Sequence, residues 1–157
     1  MFAKKTIRDY DFAGGKRVLV TVDFNVPVND DGTVIDDYRI RQTLPTLQYL
    51  IDQNCSLVLI GHLGRPKSRD DQKTSFRHVA ENLSGLLGKE VLFAEDCVGE
   101  KAALVAEHLE PGMVALFENV RYHDGEEAND DEFARQIIEA SGAEVFVQDG
   151  FGTAHRK

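Results

Sequence analysis

The chain has 157 residues, 42% hydrophobic and 29% charged, enough for one domain with a real core and tight for two. Twenty-seven acidic residues against 18 basic ones leave a formal net charge of −9, which argues against a nucleic-acid binder or a polybasic membrane dock. No apolar run approaches the roughly 20 residues of a membrane span, and the start (MFAKKTIRDYDFAGGK) lacks the apolar stretch of a secretory signal.

In chain order, short β-branched runs alternate with helical patterns. The first run, RVLVTV (17–22), is followed by an acidic link, NDDGTVIDD (29–37), that should turn at Asp31-Gly32. Asp36 or Asp37 then caps a helix carrying Ile40, Leu44, Leu47, Leu50 and Ile51 on one stripe, with Pro45 expected to kink it or confine its regular part. SLVLI (56–60) is the second run, and the polar segment after it, RPKSRDDQKT (65–74), reads as a mobile surface loop. Ser75 precedes a helix through Val79, Ala80, Leu83, Leu86 and Leu87, stopped by Gly88. EVLFA (90–94), a helix over 100–109 ended by Pro111-Gly112, and MVALF (113–117) follow. The acidic run 124–132 reads as a solvated lead-in, and Asn129 with Glu132 as a capping-box-like start for a helix facing inward through Phe133, Ile137 and Ala140. EVFV (144–147) is the last run. Strands that are nearly continuous in apolar residues are buried on both faces, so the pattern predicts an open Rossmann-like parallel β-sheet flanked by helices, a three-layer α/β/α arrangement. Cys55 and Cys97 form no CxxC pair and no zinc spacing, which fits two small core residues and a reducing cytoplasm.

In such folds ligands bind beyond the carboxyl ends of the strands, so the residues just past each strand are the informative ones. They read DFNVP (23–27), GHLGRP (61–66), ENVRYHDGEE (118–127) and QDGFGTAHR (148–156), with Arg39 opening the first helix. Arg39, Arg65, Arg121 and Arg156 are thereby expected on one rim with His62, while His123 and His155 lie in the same segments. Ten of the 18 basic residues are arginine, and four of those ten fall here. A single arginine after a strand is usually a solvated charge; several in glycine-bearing loops also suit a small phosphate- and carboxylate-bearing ligand, and spacing alone leaves both open. Asp23 and Asn25 add an acceptor and an amide for hydroxyl groups, although Asp23 alone can be a turn residue. The glycines at 61, 64, 150 and 152 would let backbone come close to a ligand. There is no GxxxxGK[ST] loop, no GxGxxG after the first strand and no GxSxG elbow, and the 124–132 acids lack calcium-loop spacing. No metal site is expected.

The stretches TVDFNVPVND, DDYRIRQTLPTL, GHLGRPKS, LFENVRYHDGEE and DGFGTAHR resemble, in order and spacing, the N-terminal domain of phosphoglycerate kinase, over nearly the whole chain. The resemblance implies that residues 1–157 are the phosphoglycerate-binding domain of an enzyme that reversibly transfers a phosphoryl group between 1,3-bisphosphoglycerate and ADP, giving 3-phosphoglycerate and Mg-ATP in glycolysis. That enzyme is a phosphotransferase with a carboxyl-group acceptor. It implies substrate-binding roles for Asp23, Asn25, Arg39, His62, Arg65, Arg121 and Arg156, and a catalytic role for Arg39 in steadying the phosphoryl group in flight. Mg-ATP or Mg-ADP would be held by a C-terminal domain that this chain lacks, so no cofactor is expected on it and the chain alone would be inactive. The implied setting is cytoplasmic, with no nucleic-acid or membrane partner; the family is usually monomeric, and an uncovered edge strand would invite self-association. Thr21, Gly61, Gln148 and Gly150 stand where the family usually has arginine, serine, asparagine and alanine. Thr21, Gly61 and Gly150 motivate a second reading, a non-catalytic stand-alone binding or interaction module. An unrelated flavodoxin-like regulator would need an acidic phospho-acceptor pocket where arginines dominate.

Overall fold

The structure, a computed structural model, describes residues 5–150 and 152. Strands β1 (Arg17–Thr21), β2 (Ser56–Ile60), β3 (Val91–Ala94), β4 (Val114–Phe117) and β5 (Val145–Gln148) form one sheet in the order β3-β4-β2-β1-β5. Every pairing is parallel. β4 is buried at all four positions and β2 at four of its five, which is why these strands carry no polar alternation. The three-layer expectation holds. On one face α1 (Tyr38–Asp52) and α2 (Arg77–Leu87) pack Ile40, Leu47, Leu50, Val79 and Leu83 against Val18, Val20, Leu57, Leu59 and Leu116. On the other, α3 (Gly99–Glu107) and α5 (Asp131–Ser141) pack Ala102, Ala106, Phe133 and Ile137 against Leu19, Val58, Ala115 and Phe117. Cys55 and Cys97 are both buried and free.

Three local expectations are refined. Tyr38 N–H donates to Asp36 Oδ1 at 2.8 Å, whereas Asp37, at the N-cap position, spends its carboxylate on Arg41 at 2.8 and 3.0 Å. α1 continues through Pro45 to Asp52, so the proline does not confine it; its buried stripe on either side of Pro45 holds the helix together across the missing N–H. α5 is capped one residue later than expected, by Asp130, whose Oδ1 accepts from Glu132 N–H at 2.9 Å. Asn129 instead ends a separate short helix, α4 (Asp124–Ala128), in the left-handed conformation that asparagine tolerates.

The 29–37 link turns where expected. Gly32 has φ +86°, and Val28 bridges Val34 across the turn. The 65–74 segment is largely exposed but fastened. Lys73 Nζ donates to Asp30 at 2.8 Å, Tyr122 Oη donates to the Asp71 carbonyl at 2.8 Å, and Arg69 pairs with Asp96. Among the described residues β5 pairs only with β1, and its Phe146 is 60% exposed. No helix among the described residues is long and apolar enough to cross a membrane.

Leu57, fully buried on the central strand β2, should be a sensitive point. Leu57→Ala is expected to cost about 2 to 5 kcal/mol, read from urea unfolding followed by circular dichroism.

Candidate functional site

The carboxyl ends of β1, β2 and β4 lie side by side, because Thr21 pairs with Ile60 and Leu59 with Leu116. Three loops therefore leave the sheet together. In the first, extended chain past β1 alternates. Val22, Phe24 and Val26 are buried, which turns Asp23 and Asn25 to the other side. Phe24 is fixed edge-on against Phe76, with ring centres 6.5 Å apart. Asp23 accepts Arg39 Nη1 on both oxygens, at 2.8 and 3.0 Å, which ties the first loop to the opening turn of α1. A Cβ at Gly152 would stand 2.6 Å from Asp23 Oδ2, so glycine there lets the backbone approach that carboxylate.

The second loop is joined to both of its neighbours through Gly64. Gly64 N–H donates to Asn25 Oδ1 at 2.8 Å, and its carbonyl accepts Arg121 Nη1 at 3.3 Å. Gly64 sits at φ +61°, where glycine carries no steric penalty. Arg65 follows it, exposed and without an ion pair among the described residues. Gly61 packs tightly on the first loop. A Cβ there would meet the Val22 carbonyl at 2.7 Å, so the serine expected by resemblance would need the β1 and β2 ends to separate.

Arg121, in the third loop, is only 8% exposed. Its Nε donates to Glu126 Oε2 at 3.0 Å and its Nη2 lies 3.5 Å from Glu126 Oε1, with Glu127 at 3.9 Å. Thus Asp23, Asn25, Arg39, Gly64 and Arg121 form one connected set beside Arg65. His62 is half-buried nearby but faces a different space, a cleft of about 740 Å³ that it lines with Thr21, Gly61, Gln148, Glu126 and Glu127. Asp130 and Asp131 also border that cleft, while Arg39, Arg65 and Arg121 do not. This cleft is therefore acidic and is not where the arginines converge. Arg156 and His155 lie outside the described residues.

Sequence reasoning passed over the pair that builds this arrangement, Glu118 and Asn119. Asn119 is completely buried. Its Nδ2 donates to the carbonyls of Leu63 at 2.8 Å and Thr74 at 2.9 Å, and its Oδ1 accepts from Arg121 N–H at 3.1 Å. Glu118 Oε1 accepts from Phe76 N–H and Asn119 N–H, both at 2.8 Å, and its Oε2 accepts from Ser75 Oγ at 2.7 Å. Two polar residues directly after a wholly apolar strand were the available signal. At such a depth they must be satisfied by neighbouring backbone.

A second polar cluster lies on the adjoining rim. Asp96 is bonded by Arg69, by His123 Nε2 at 2.7 Å and by Cys97 N–H at 2.8 Å. Burial pushes the Asp96 carboxyl up, but these hydrogen bonds and the Arg69 charge outweigh it and hold it below the usual carboxylate range. Side-chain atoms of Asp96, Cys97 and His123 lie within 4.8 Å of one another. However, Arg69 Nη2 stands 2.8 Å from His123 Nε2, and burial, with the Asp96 charge, pushes the Cys97 thiol up to about 12. Through Arg69 the cluster fastens the 65–74 segment to the rim beyond β3.

A family model described as phosphoglycerate kinase matches residues 7–157. A phosphoglycerate kinase of Pelotomaculum thermopropionicum is 53% identical over 154 residues, covering 98% of this chain and 38% of that protein. One from Aquifex aeolicus is 50% identical over 157 residues, covering 100% and 38%. The crystal structure of phosphoglycerate kinase from Pyrococcus horikoshii OT3 matches with a TM-score of 0.83 at 32% identity, over 96% of this chain and 37% of that one. The structure of the enzyme from Coxiella burnetii gives 0.79 at 35%, over 96% and 36%. The chain thus spans about 38% of the length of the curated relatives it matches.

Asn119→Ala would orphan two buried carbonyls and one N–H, and is expected to cost at least about 2 kcal/mol in urea unfolding, with amide shifts concentrated at 63–65 and 74–76. Because the folded carboxyl of Asp96 is depressed, its stabilisation is present above the unfolded value of about 3.9 and is lost as pH falls through the folded one. Asp96→Asn should therefore be less stable than the parent at pH 7 and lose less stability than the parent between about pH 5 and pH 2, measured by thermal melts across that range.

Proposed function

Since this chain belongs to the phosphoglycerate kinase family, we propose that residues 1–157 form its phosphoglycerate-holding N-terminal domain. On this reading the chain binds 3-phosphoglycerate or 1,3-bisphosphoglycerate for reversible phosphoryl transfer with ADP and ATP. The observation that carries it is the Gly64 junction. One glycine bonds Asn25 from the first loop and Arg121 from the third, and places Arg65 next to both. Residues far apart in sequence are thereby assembled into a site rich in guanidinium groups. Planar N–H forks of that kind match the oxygens of phosphate and carboxylate.

The roles follow from the chemistry of each group. Arg65 and Arg121 take the phosphate and carboxylate oxygens, and the resemblance to the family assigns His62 and Arg156 to the same task. Asp23 accepts, and Asn25 can donate or accept, at the glycerate hydroxyl. Arg39 is held at the site by Asp23, and its guanidinium can steady the phosphoryl oxygens during transfer. The carboxylates of this site are spent on guanidinium groups, Asp23 on Arg39 and Glu126 on Arg121, so the set suits an anion rather than a magnesium ion. The Mg-nucleotide, which supplies or accepts the phosphoryl group, is therefore assigned to the part of the enzyme beyond this chain, and the chain alone gives no turnover. Thr21 brings no charge to the acidic cleft it lines.

Titration of the isotope-labelled chain with 3-phosphoglycerate should move the amide signals of Gly64, Arg65 and Arg121. Arg65→Ala should weaken the affinity roughly tenfold or more. A folded sample whose signals at these positions stay fixed to saturating ligand would refute the assignment.

A further inference from the structure

Arg121 does not stand ready for a ligand. Its side chain is 8% exposed and is forked by Glu126, itself only 21% exposed, while the half-exposed Arg39 gives its Nη1 to both oxygens of Asp23. The backbone that presents Glu126 has little room to withdraw. His123 carbonyl accepts Glu126 N–H at 3.2 Å, Asn129 N–H closes the helix onto the Glu126 carbonyl at 3.3 Å, and Asp130 N–H bonds the Gly125 carbonyl at 3.0 Å. On the other side α4 is pressed against α5, where a Cβ on Gly125 would stand 2.7 Å from Phe133 Cβ. Glu126 is thus a fixed internal ligand of Arg121, and the more exposed Glu127 adds a second negative charge at 3.9 Å.

We propose that Glu126 determines the specificity of this site. Its carboxylate is the ligand that an incoming anion must outcompete at Arg121, so the site takes a phosphate dianion and refuses a carboxylate alone. This rests on the reading of the arginine set as the phosphoglycerate site. The reasoning is an exchange balance. A carboxylate that replaces Glu126 on Arg121 gains nothing that Glu126 did not already supply, and it enters beside the displaced Glu126 and Glu127. A phosphate monoester brings about 1.5 to 2 negative charges at neutral pH and three acceptor oxygens. With those it can hold Arg121 and Arg65 at once; Arg65 makes no ion pair among the described residues and directly follows the glycine that bonds Arg121. The internal acids that make the chain so negative thereby act as a threshold set by ligand charge.

The test compares 3-phosphoglycerate with glycerate, the same acid without its phosphate, at pH 7.5 by calorimetric titration. In the parent chain 3-phosphoglycerate binds and glycerate is much weaker. Glu126→Gln keeps the shape and removes the competing charge, so glycerate should gain about tenfold or more and the ratio of the two affinities should fall by a similar factor. Glu126→Asp, which keeps the charge, should hold the ratio within about threefold of the parent. In the parent chain, 3-phosphoglycerate should also move the Arg121 Nε–H resonance as Glu126 is displaced, and glycerate should not, a reading that needs no variant. An unchanged ratio in Glu126→Gln, equal weakening of both ligands, or an Arg121 Nε–H signal indifferent to 3-phosphoglycerate overturns the proposal. If 3-phosphoglycerate fails to bind the parent at all, the phosphoglycerate reading falls with it; if it binds and only the ratio stays fixed, the role of Glu126 alone is lost.

Discussion

Asn119 uses both N–H groups and the carbonyl of its side-chain amide, and each bond reaches backbone. Two donors hold the carbonyls of Leu63 and Thr74, and the oxygen holds Arg121 N–H. Immediately before it, Glu118 binds the N–H groups of Phe76 and Asn119 and the hydroxyl of Ser75. Neither residue has a surface position to fall back on, since Asn119 is fully buried and Glu118 nearly so. A buried polar pair is stable only when it is satisfied, and here the satisfaction comes from three separate stretches of chain. The end of β4, the loop after β2 and the entry to α2 are therefore positioned together or not at all. The site rests on that constraint. Gly64 can link Asn25 to Arg121 only because Leu63 and Arg121 are both already fastened to Asn119.

Charge works at two scales in this protein. Over the whole chain the balance is strongly negative. At the rim the arginines are real, but two of them are already answered by carboxylates of the chain, Arg39 by Asp23 and Arg121 by Glu126. The same pattern recurs on the neighbouring rim, where Asp96 answers Arg69 and Glu95 answers both Arg77 and Lys101. A low-charge resting state keeps guanidinium groups from repelling one another in the absence of ligand. It also means that anion affinity depends on exchange of partners rather than on open positive charge.

Much of this was legible in the residues. The five strands announce themselves because burial on both faces demands unbroken apolar runs, and their ends fix where a ligand would be met. Asp23 and Asn25 follow from the alternation of VDFNV, with Val22, Phe24 and Val26 turned inward. Less legible was anything set by distant partners. The counting of arginines could not reveal that Arg121 is buried against Glu126, or that Arg69 pairs with Asp96. The start of α5 moved by one residue because Asn129 was already committed to ending α4. Pro45 lies inside α1 because packing against the sheet, absent from any local rule, outweighs one lost hydrogen bond. Glu118 and Asn119 looked like ordinary loop residues, and their role emerges only when the backbone they satisfy is in place.

The central claim is that the loops after β1, β2 and β4 make one anion site at the Gly64 junction. A crystal structure of the chain with bound 3-phosphoglycerate tests it most directly. The account predicts phosphate or carboxylate oxygens within hydrogen-bonding distance of Arg65 and Arg121, with the hydroxyl near Asp23 or Asn25. A ligand seated instead in the acidic cleft beside His62 and Gln148, with Asn25, Gly64 and Arg121 untouched, would contradict it.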